Sequence, residues 1–355
     1  MKHQLRSAYS HQRGLGLPEI MVGLAIGLIV TIVIVQVMGV FEGQKRTTGG
    51  NTDAQTNGSI GLSVIQRKLQ AAGFGLPIYS TVNPALRCNP SPTFDDDGDP
   101  ATPPIGIFPV AIKDNDATAY GSDIITIRGG TSSMGGAPIS ISNVVGNVVS
   151  VTNNLGCANG DIALVSSGGG AACTMRRVVT VDPVDHTQIT MDANAGLATG
   201  ATLACMGTWS ETVYKVDATG NLTENGASAV AGIVNIQAQY GISPDLTTNQ
   251  VNQWVDATSG GSWETPTVDD RNRIKAIRIA VVARNSLLEK EVVTYKCSST
   301  TAASPTGLCA WEGTAANPAP TIDLTAYPKW DHYRYRVFET IIPLRNILWS
   351  KALLK

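Results

Sequence analysis

From Ile20 to Phe41 the chain carries 22 residues without a charge. As a helix rising about 1.5 Å per residue this run is about 33 Å long, enough for a hydrocarbon core of about 30 Å. Lys2, Arg6 and Arg13 precede it with no acid among residues 1–14, and Glu42, Lys45 and Arg46 follow it. The run is longer than the apolar region of a secretory signal and no Ala-x-Ala site follows, so it predicts a single-pass anchor. The basic flank places the N-terminus in the cytoplasm and the rest of the chain outside. Gly39, Gly43 and Gly49-Gly50 then weaken the helix. Leu62, Ile65, Leu69 and Ala72 restore a helical stripe, with Gln66, Arg67 and Lys68 elsewhere on the surface. Ala72-Gly73-Phe74-Gly75-Leu76-Pro77 ends it.

Beyond residue 76 the pattern changes from helical spacing to short alternating runs. Asp123–Arg128, Ile139–Thr152 with a Gly146-Asn147 turn, Asp161–Val165, Met175–Val181 and Gln188–Met191 read as strands. Thr212–Val216 and Leu222-Thr223 flank a further hairpin turn, and Ile233–Tyr240 is apolar at alternate positions. Ile274–Ala283 is a nearly continuous apolar run suited to a buried strand, and Tyr333–Ile342 is a late one. Leu344–Lys355 closes the chain as a short helix. Segments 129–137, 166–172, 256–263 and 298–308 read as exposed loops or insertions, and no internal repeat of fixed period stands out. The expected class is α+β: a long N-terminal hydrophobic helix followed by an enlarged, sheet-rich globular domain.

Composition narrows the function classes. Lys and Arg total 26 against 28 Asp and Glu in 355 residues, a net charge of −2 that gives nucleic acid no basic surface. Hydrophobic residues at 43% exclude a disordered chain.

Arg13-Gly14-Leu15-Gly16-Leu17-Pro18-Glu19 stands directly before the apolar run. A carboxylate at the end of a membrane helix is unfavourable without a partner, which makes Glu19 a functional residue by default. Gly followed by an apolar residue, with Glu five positions after that Gly and a long apolar helix behind, resembles the class III leader of type IV prepilins. The resemblance implies cleavage by the prepilin peptidase between Gly14 and Leu15 and N-methylation of Leu15. It also implies that Glu19, as the fifth mature residue, pairs with the terminal amine of a neighbouring subunit. Pro18 departs from the aliphatic residue often found there, yet proline is tolerated in a first turn, where its N–H would have no helical partner. Gly23 and Gly27 form a Gly-x-x-x-Gly pair suited to close helix packing.

The size of the globular part, the helix ending Ala72-Gly73-Phe74-Gly75, the strand Ser122–Arg128 and the late Tyr335-Arg336-Val337-Phe338…Leu344-Arg345-Asn346 resemble the PilW-type minor pilins. That resemblance implies a cleaved leader (1–14) and a helix (15–75) whose membrane or filament core is 18–41 and whose amphipathic half is 52–72. A periplasmic or extracellular β-rich domain (76–355) follows. It further implies a low-abundance subunit of the inner membrane that enters the pilus, primes its assembly and sits near the tip. Its partners would be other minor pilins, the major pilin, the prepilin peptidase, the inner-membrane assembly platform and a tip adhesin. A J-type pseudopilin of type II secretion shares the leader and helix, and a tip-located adhesive module is a further alternative.

Cys88, Cys157, Cys173, Cys205, Cys297 and Cys309 all lie beyond the anchor, in the compartment where disulfides persist. No Cys-x-x-Cys is present, so a zinc framework is not indicated. Proximity in sequence pairs Cys297 with Cys309 first and Cys157 with Cys173 second, leaving Cys88 with Cys205; six cysteines allow 15 connectivities. Asp95, Asp97 and Asp99 alternate around Gly98 and offer hard oxygens to Ca²⁺. The glycine is misplaced for an EF-hand loop and no bidentate Glu follows, so a solvated acidic turn is the other reading. No other cofactor is indicated. After leader removal only His186 and His332 remain, and His-Glu-x-x-His, Gly-x-Ser-x-Gly and phosphate-loop patterns are absent. Asp185-His186 beside Asp182 fits a hairpin turn better than a triad, and Asp269-Asp270 beside Arg271 fits local ion pairing. Trp330, Tyr333, Tyr335 and Phe338 fit core and sheet surface better than a sugar platform. The expectation is a non-enzymatic assembly subunit.

Overall fold

The computed structural model describes residues 16–77, 87–96, 98–132, 134–167 and 172–347. The chain divides into two compact units, residues 1–51 and 52–355. A single helix, α1 (Leu17–Ala71), supplies the described part of the first unit and opens the second. It runs unbroken through Gly39, Gly43, Gly49 and Gly50. In the first unit the apolar side chains from Leu17 to Phe41 are exposed, and nothing lies within 4 Å of the Cβ positions of Gly23 and Gly27.

In the second unit α1 presents a stripe of small and aliphatic residues: Ala54, Gly58, Gly61, Ile65, Leu69 and, just past its end, Ala72, all buried. The expected amphipathic face is therefore present, extended toward the N-terminus by two glycines. They face the sheet: the Phe338 ring occupies the space that a side chain on Gly58 would take, and Ile233 and Val281 lie against Gly61. A Gly58→Leu substitution drives a branched side chain into that ring. It is expected to lower stability by about 2 kcal/mol, the overpacking range, in thermal melts of the full chain.

Among the described residues the strands form four sheets. β1 (Thr93–Phe94) and β2 (Ile105–Gly106) make a minimal ladder. β3 (Val110–Asp116) and β4 (Ser122–Gly129) lie at one side of a five-stranded sheet. Its other strands are β11 (Ser210–Val216), β12 (Asn221–Glu224) and β13 (Ala227–Ala231), in the order β13-β12-β11-β4-β3. A closed barrel stands between β4 and β11 in sequence. It contains β5 (Ile139–Val145), β6 (Val148–Val151), β7 (Ile162–Ser166), β8 (Cys173–Val181), β9 (Gln188–Met191) and β10 (Thr202–Cys205), ordered β10-β5-β6-β9-β8-β7. The last sheet is β15-β14-β16-β17: β14 (Ile233–Ile242), β15 (Gln253–Val255), β16 (Ile274–Arg284) and β17 (Tyr335–Pro343), with helix α2 (Val268–Arg273) leading into β16. A helical turn begins at Arg345; the rest of the expected C-terminal helix lies outside the described residues.

The main core unites the α1 stripe, the five-stranded sheet and one face of β14 and β16. The opposite face of β14 is polar, Asn235, Gln237 and Gln239, yet all three are buried. A cover that includes Leu308, Trp311, Ile322, Leu324 and Tyr327 packs over that face against Val234, Ala280 and Val282. The region after Leu308 is thus a structural layer and not an appendage.

β4 and β11 are direct antiparallel partners, from Ser210 against Gly129 to Tyr214 against Ile125. Everything from Gly130 to Trp209 is therefore an insertion at one end of that pair, with a core of its own. Of residues 129–137, expected as an exposed loop, the described ones form its neck: Ser132 is 3% exposed and donates its N–H to Met206 O.

The barrel also corrects the expectation of no repeat. Ser150, Val151, Asn154, Gly156, Ala158 and Gly160 have counterparts 40 positions later in Thr190, Met191, Asn194, Gly196, Ala198 and Gly200. Their backbone bonds match: Cys157 to Asn154 O and Leu197 to Asn194 O, both 3.0 Å, and Val151 to Thr187 O (2.7 Å) with Met191 to Asn147 O (2.8 Å). Equivalent residues meet each other at Val149↔Ile189 and Leu164↔Ala204, where a pseudo-twofold axis crosses the barrel. The copies preserve turn-forming residues while the strands exchange one apolar residue for another, so the repeat is one of backbone demand rather than identity.

Three disulfides join Cys88 to Cys173, Cys157 to Cys205 and Cys297 to Cys309. The expected Cys157–Cys173 and Cys88–Cys205 pairs are corrected. β7 pairs with β8 at Ser166↔Cys173 and with β10 at Ala163↔Cys205, so Cys173 and Cys205 stand toward opposite ends of β7. Cys157 precedes β7 and so falls beside Cys205, at a Cα separation of 5.3 Å.

Candidate functional site

The first turn of α1 is built around Glu19. Gly16 is the residue before the helix, and its N–H donates to Glu19 Oε2 at 2.9 Å. A glutamate three residues in, reaching back to the amide that precedes the helix, is the reciprocal arm of a capping box, and it sets a negative charge at the positive end of the dipole. Pro18 fits without loss, as an interior amide of that turn would have no acceptor. The helix that follows, Leu17–Glu42, spans 26 residues with a mean hydropathy of 2.8 and is long and apolar enough to cross a membrane. Gly14 and Leu15, the expected cleavage and methylation positions, lie outside the described residues. Gly23 and Gly27 share one stretch of this helix, and Thr31 Oγ1 donates to Gly27 O at 2.7 Å.

The acidic turn is engaged with its own chain. Asp95 Oδ1 accepts from the Gly98 N–H (2.7 Å) and Asp99 Oδ1 from the Ala101 N–H (2.9 Å). Asp96 pairs with Arg177 at 2.6 Å, and that guanidinium lies over the Phe94 ring. Asp97 lies outside the described residues. Among the described residues no group of three His, Cys, Asp or Glu is arranged to hold a metal.

The other singled-out residues shape turns and surfaces. Asp182 Oδ1 accepts from Val184 and Asp185, and Asp185 Oδ1 from Thr187 (3.1 Å), which fixes the β8–β9 hairpin. Thr267 caps α2 through the Asp270 N–H, and Asp270 meets Arg273 at 3.2 Å. Trp330, Tyr333 and Tyr335 flank the cover, with Arg284 over the rings of Tyr327 and Tyr333.

Sequence reasoning passed over a buried polar junction. Ser122 and Asp123, at the start of β4, reach across to β14 beside the point where its partner β15 stops. The Ser122 hydroxyl accepts from Ile236 N–H (2.8 Å), and Asp123 Oδ2 accepts from Ala238 N–H (2.6 Å). The available signal was Asn235, Gln237 and Gln239 in an otherwise apolar strand, since a polar ladder there requires a partner surface.

Over residues 200–346 the chain matches the family model of the type IV pilus-assembly protein W. The match covers β10 to β17, which is the C-terminal part of the globular unit and excludes α1. No curated protein and no solved structure matches the chain. The family match supports a type IV pilus-related protein, involved in the assembly of that filament.

Proposed function

We propose that this chain is a minor pilin, a structural subunit and not an enzyme. It is cut after Gly14, methylated on Leu15, and leaves the inner membrane by bundling α1 with the helices of other minor pilins and the major pilin. It primes assembly and lies near the tip. The observation that supports this reading is a coincidence of independent features. A glycine–apolar–glutamate motif stands before the long apolar helix, while the far end of the chain matches a pilus-assembly family. The test is the intact mass and N-terminal peptide of protein isolated from its native membrane. A terminus at methylated Leu15 is expected; an intact Met1, or a cut beyond Phe41, would overturn the reading. Gene deletion separates the pilus from a type II secretion filament, because piliation falls in the first case and protein export in the second.

The inserted barrel favours one addition. A second core placed at the end of a strand pair, resting on the main one through Ile162, Leu164 and Met175 and stapled by its own disulfide, suits a module displayed outward for binding. Binding of the full chain in detergent to glycan arrays or host cells, lost when loops 152–161 and 192–201 are replaced, would support that role.

A further inference from the structure

Two carboxylates meet at the junction between the five-stranded and four-stranded sheets. Asp123 is 1% exposed and accepts two backbone amides, Asn115 N–H at 3.0 Å and Ala238 N–H at 2.6 Å. Asp114, half-buried near the end of β3, stands opposite Asp123 where β3 slips against β4, so the two carboxyls act on each other. A shift of register between Lys113 and Asp116 brings this about, and Asn115 takes a left-handed conformation (φ 47°) that delivers its N–H to Asp123. Two facing carboxyls, one of them fully buried, repel strongly when both are ionised and no cation lies between them.

Among the described residues no cation is paired with either carboxyl. The Lys113 ammonium lies 2.5 Å from Asp116 and its side chain is 63% exposed. From β14, Tyr240 faces the pair, its hydroxyl accepting the Ile112 N–H at 2.7 Å. From the segment after β15, Asp256 adds a third carboxylate whose Oδ1 is buried and unpartnered. Glu264 acts on Lys113, and Arg128 and Arg271 act on Tyr240.

We propose that Asp114 and Asp123 share one proton, so that this junction between the sheets is a pH-responsive joint, tight in acid and loosened as the proton leaves. Burial is the first cause acting on all three acids: it raises Asp114, raises Asp123 well above the usual carboxylate range, and raises Asp256 to about 6. A carboxyl raised in the folded state holds its proton where the unfolded chain has lost it. Its contribution to stability is therefore complete at low pH and declines as pH rises through the folded value, which is about 6 for Asp256 and lies above the ordinary carboxylate value for Asp114 and Asp123.

The test is thermal unfolding of the full chain in detergent at pH 5 and pH 8. A midpoint roughly 5 °C lower at pH 8 is expected. In Asp114→Asn the side-chain amide donates permanently to Asp123, so the pH 8 midpoint should equal or exceed that of the parent and the drop should shrink by more than half. Asp256→Asn should leave a substantial drop. A midpoint that does not change between pH 5 and pH 8, or a full drop retained in Asp114→Asn, overturns the proposal. So does a rise at pH 8 on adding Ca²⁺ that EDTA reverses and Asp114→Asn abolishes, which would make the shared ligand a metal ion. Should Asp114→Asn fail to fold, the infrared band of a protonated carboxyl in the parent at pH 7 decides: its presence supports the shared proton and its absence overturns it.

Discussion

Glu19→Val is expected to be processed at the normal rate yet to appear in sheared pili at roughly a tenth of the parental level or less, the factor that ~1.4 kcal/mol of lost charge-assisted contact produces. On the minor-pilin reading proposed above, the carboxylate has two tasks that the variant loses together. It closes the first turn of α1 by accepting the Gly16 N–H at 2.9 Å. On the same reading, cleavage would also set it near a terminal ammonium, its own or a neighbour's, inside a bundle where an unpaired charge is costly. Glu19→Gln separates the tasks, because an amide oxygen still accepts from Gly16 but carries no charge. If the role is charge pairing, Gln behaves as Val; if it is capping alone, Gln restores incorporation. Immunoblots of membrane and sheared-pilus fractions read both outcomes, and a parental level of Glu19→Val in pili would remove the assembly role.

The second large effect concerns the barrel neck. Gly135 and Gly136 are adjacent and both left-handed, with φ of 61° and 71°. A Cβ on Gly135 meets nothing within 4 Å, whereas on Gly136 it runs into the Gly75 carbonyl. Gly135→Ala therefore carries backbone strain alone, about 1 kcal/mol. Gly136→Ala adds a collision with main chain just past the end of α1 and is expected to cost roughly 3 kcal/mol or more, in the range of severe backbone and packing lesions. Denaturant unfolding of the two variants checks this, and equal stabilities would mean that the neck yields.

The helix, the strands and the stripe of Ile65, Leu69 and Ala72 were legible because each follows a period that the chain states openly. Gly58 and Gly61 were not, because a glycine reads as a helix breaker until the Phe338 ring and the Ile233 side chain are seen to need its space. The two mistaken disulfides came from treating nearness in sequence as nearness in space; the register of β7 against both of its neighbours reverses that order. The cover over β14 was assigned no element, because the stretch after residue 308 shows neither helical nor alternating spacing, although Trp311, Ile322 and Leu324 are as buried as a strand core. The motif around Glu19 was legible from residue order alone. The Asp114–Asp123 pair was not, since its members belong to two strands and its significance depends on Ala238, more than a hundred residues away.

The insertion of the barrel into a strand pair also fixes how tension would travel. A pull on the barrel reaches the rest of the unit through Gly129 and Ser210, the neighbouring ends of β4 and β11. That geometry loads the ladder at one end, so its hydrogen bonds yield one after another, like a zip. The Cys88–Cys173 bridge offers a second path, from β8 directly to the segment that leads into β1. With it closed, part of the load bypasses the zip and is borne by a covalent bond, so the same chain would withstand more pull oxidised than reduced.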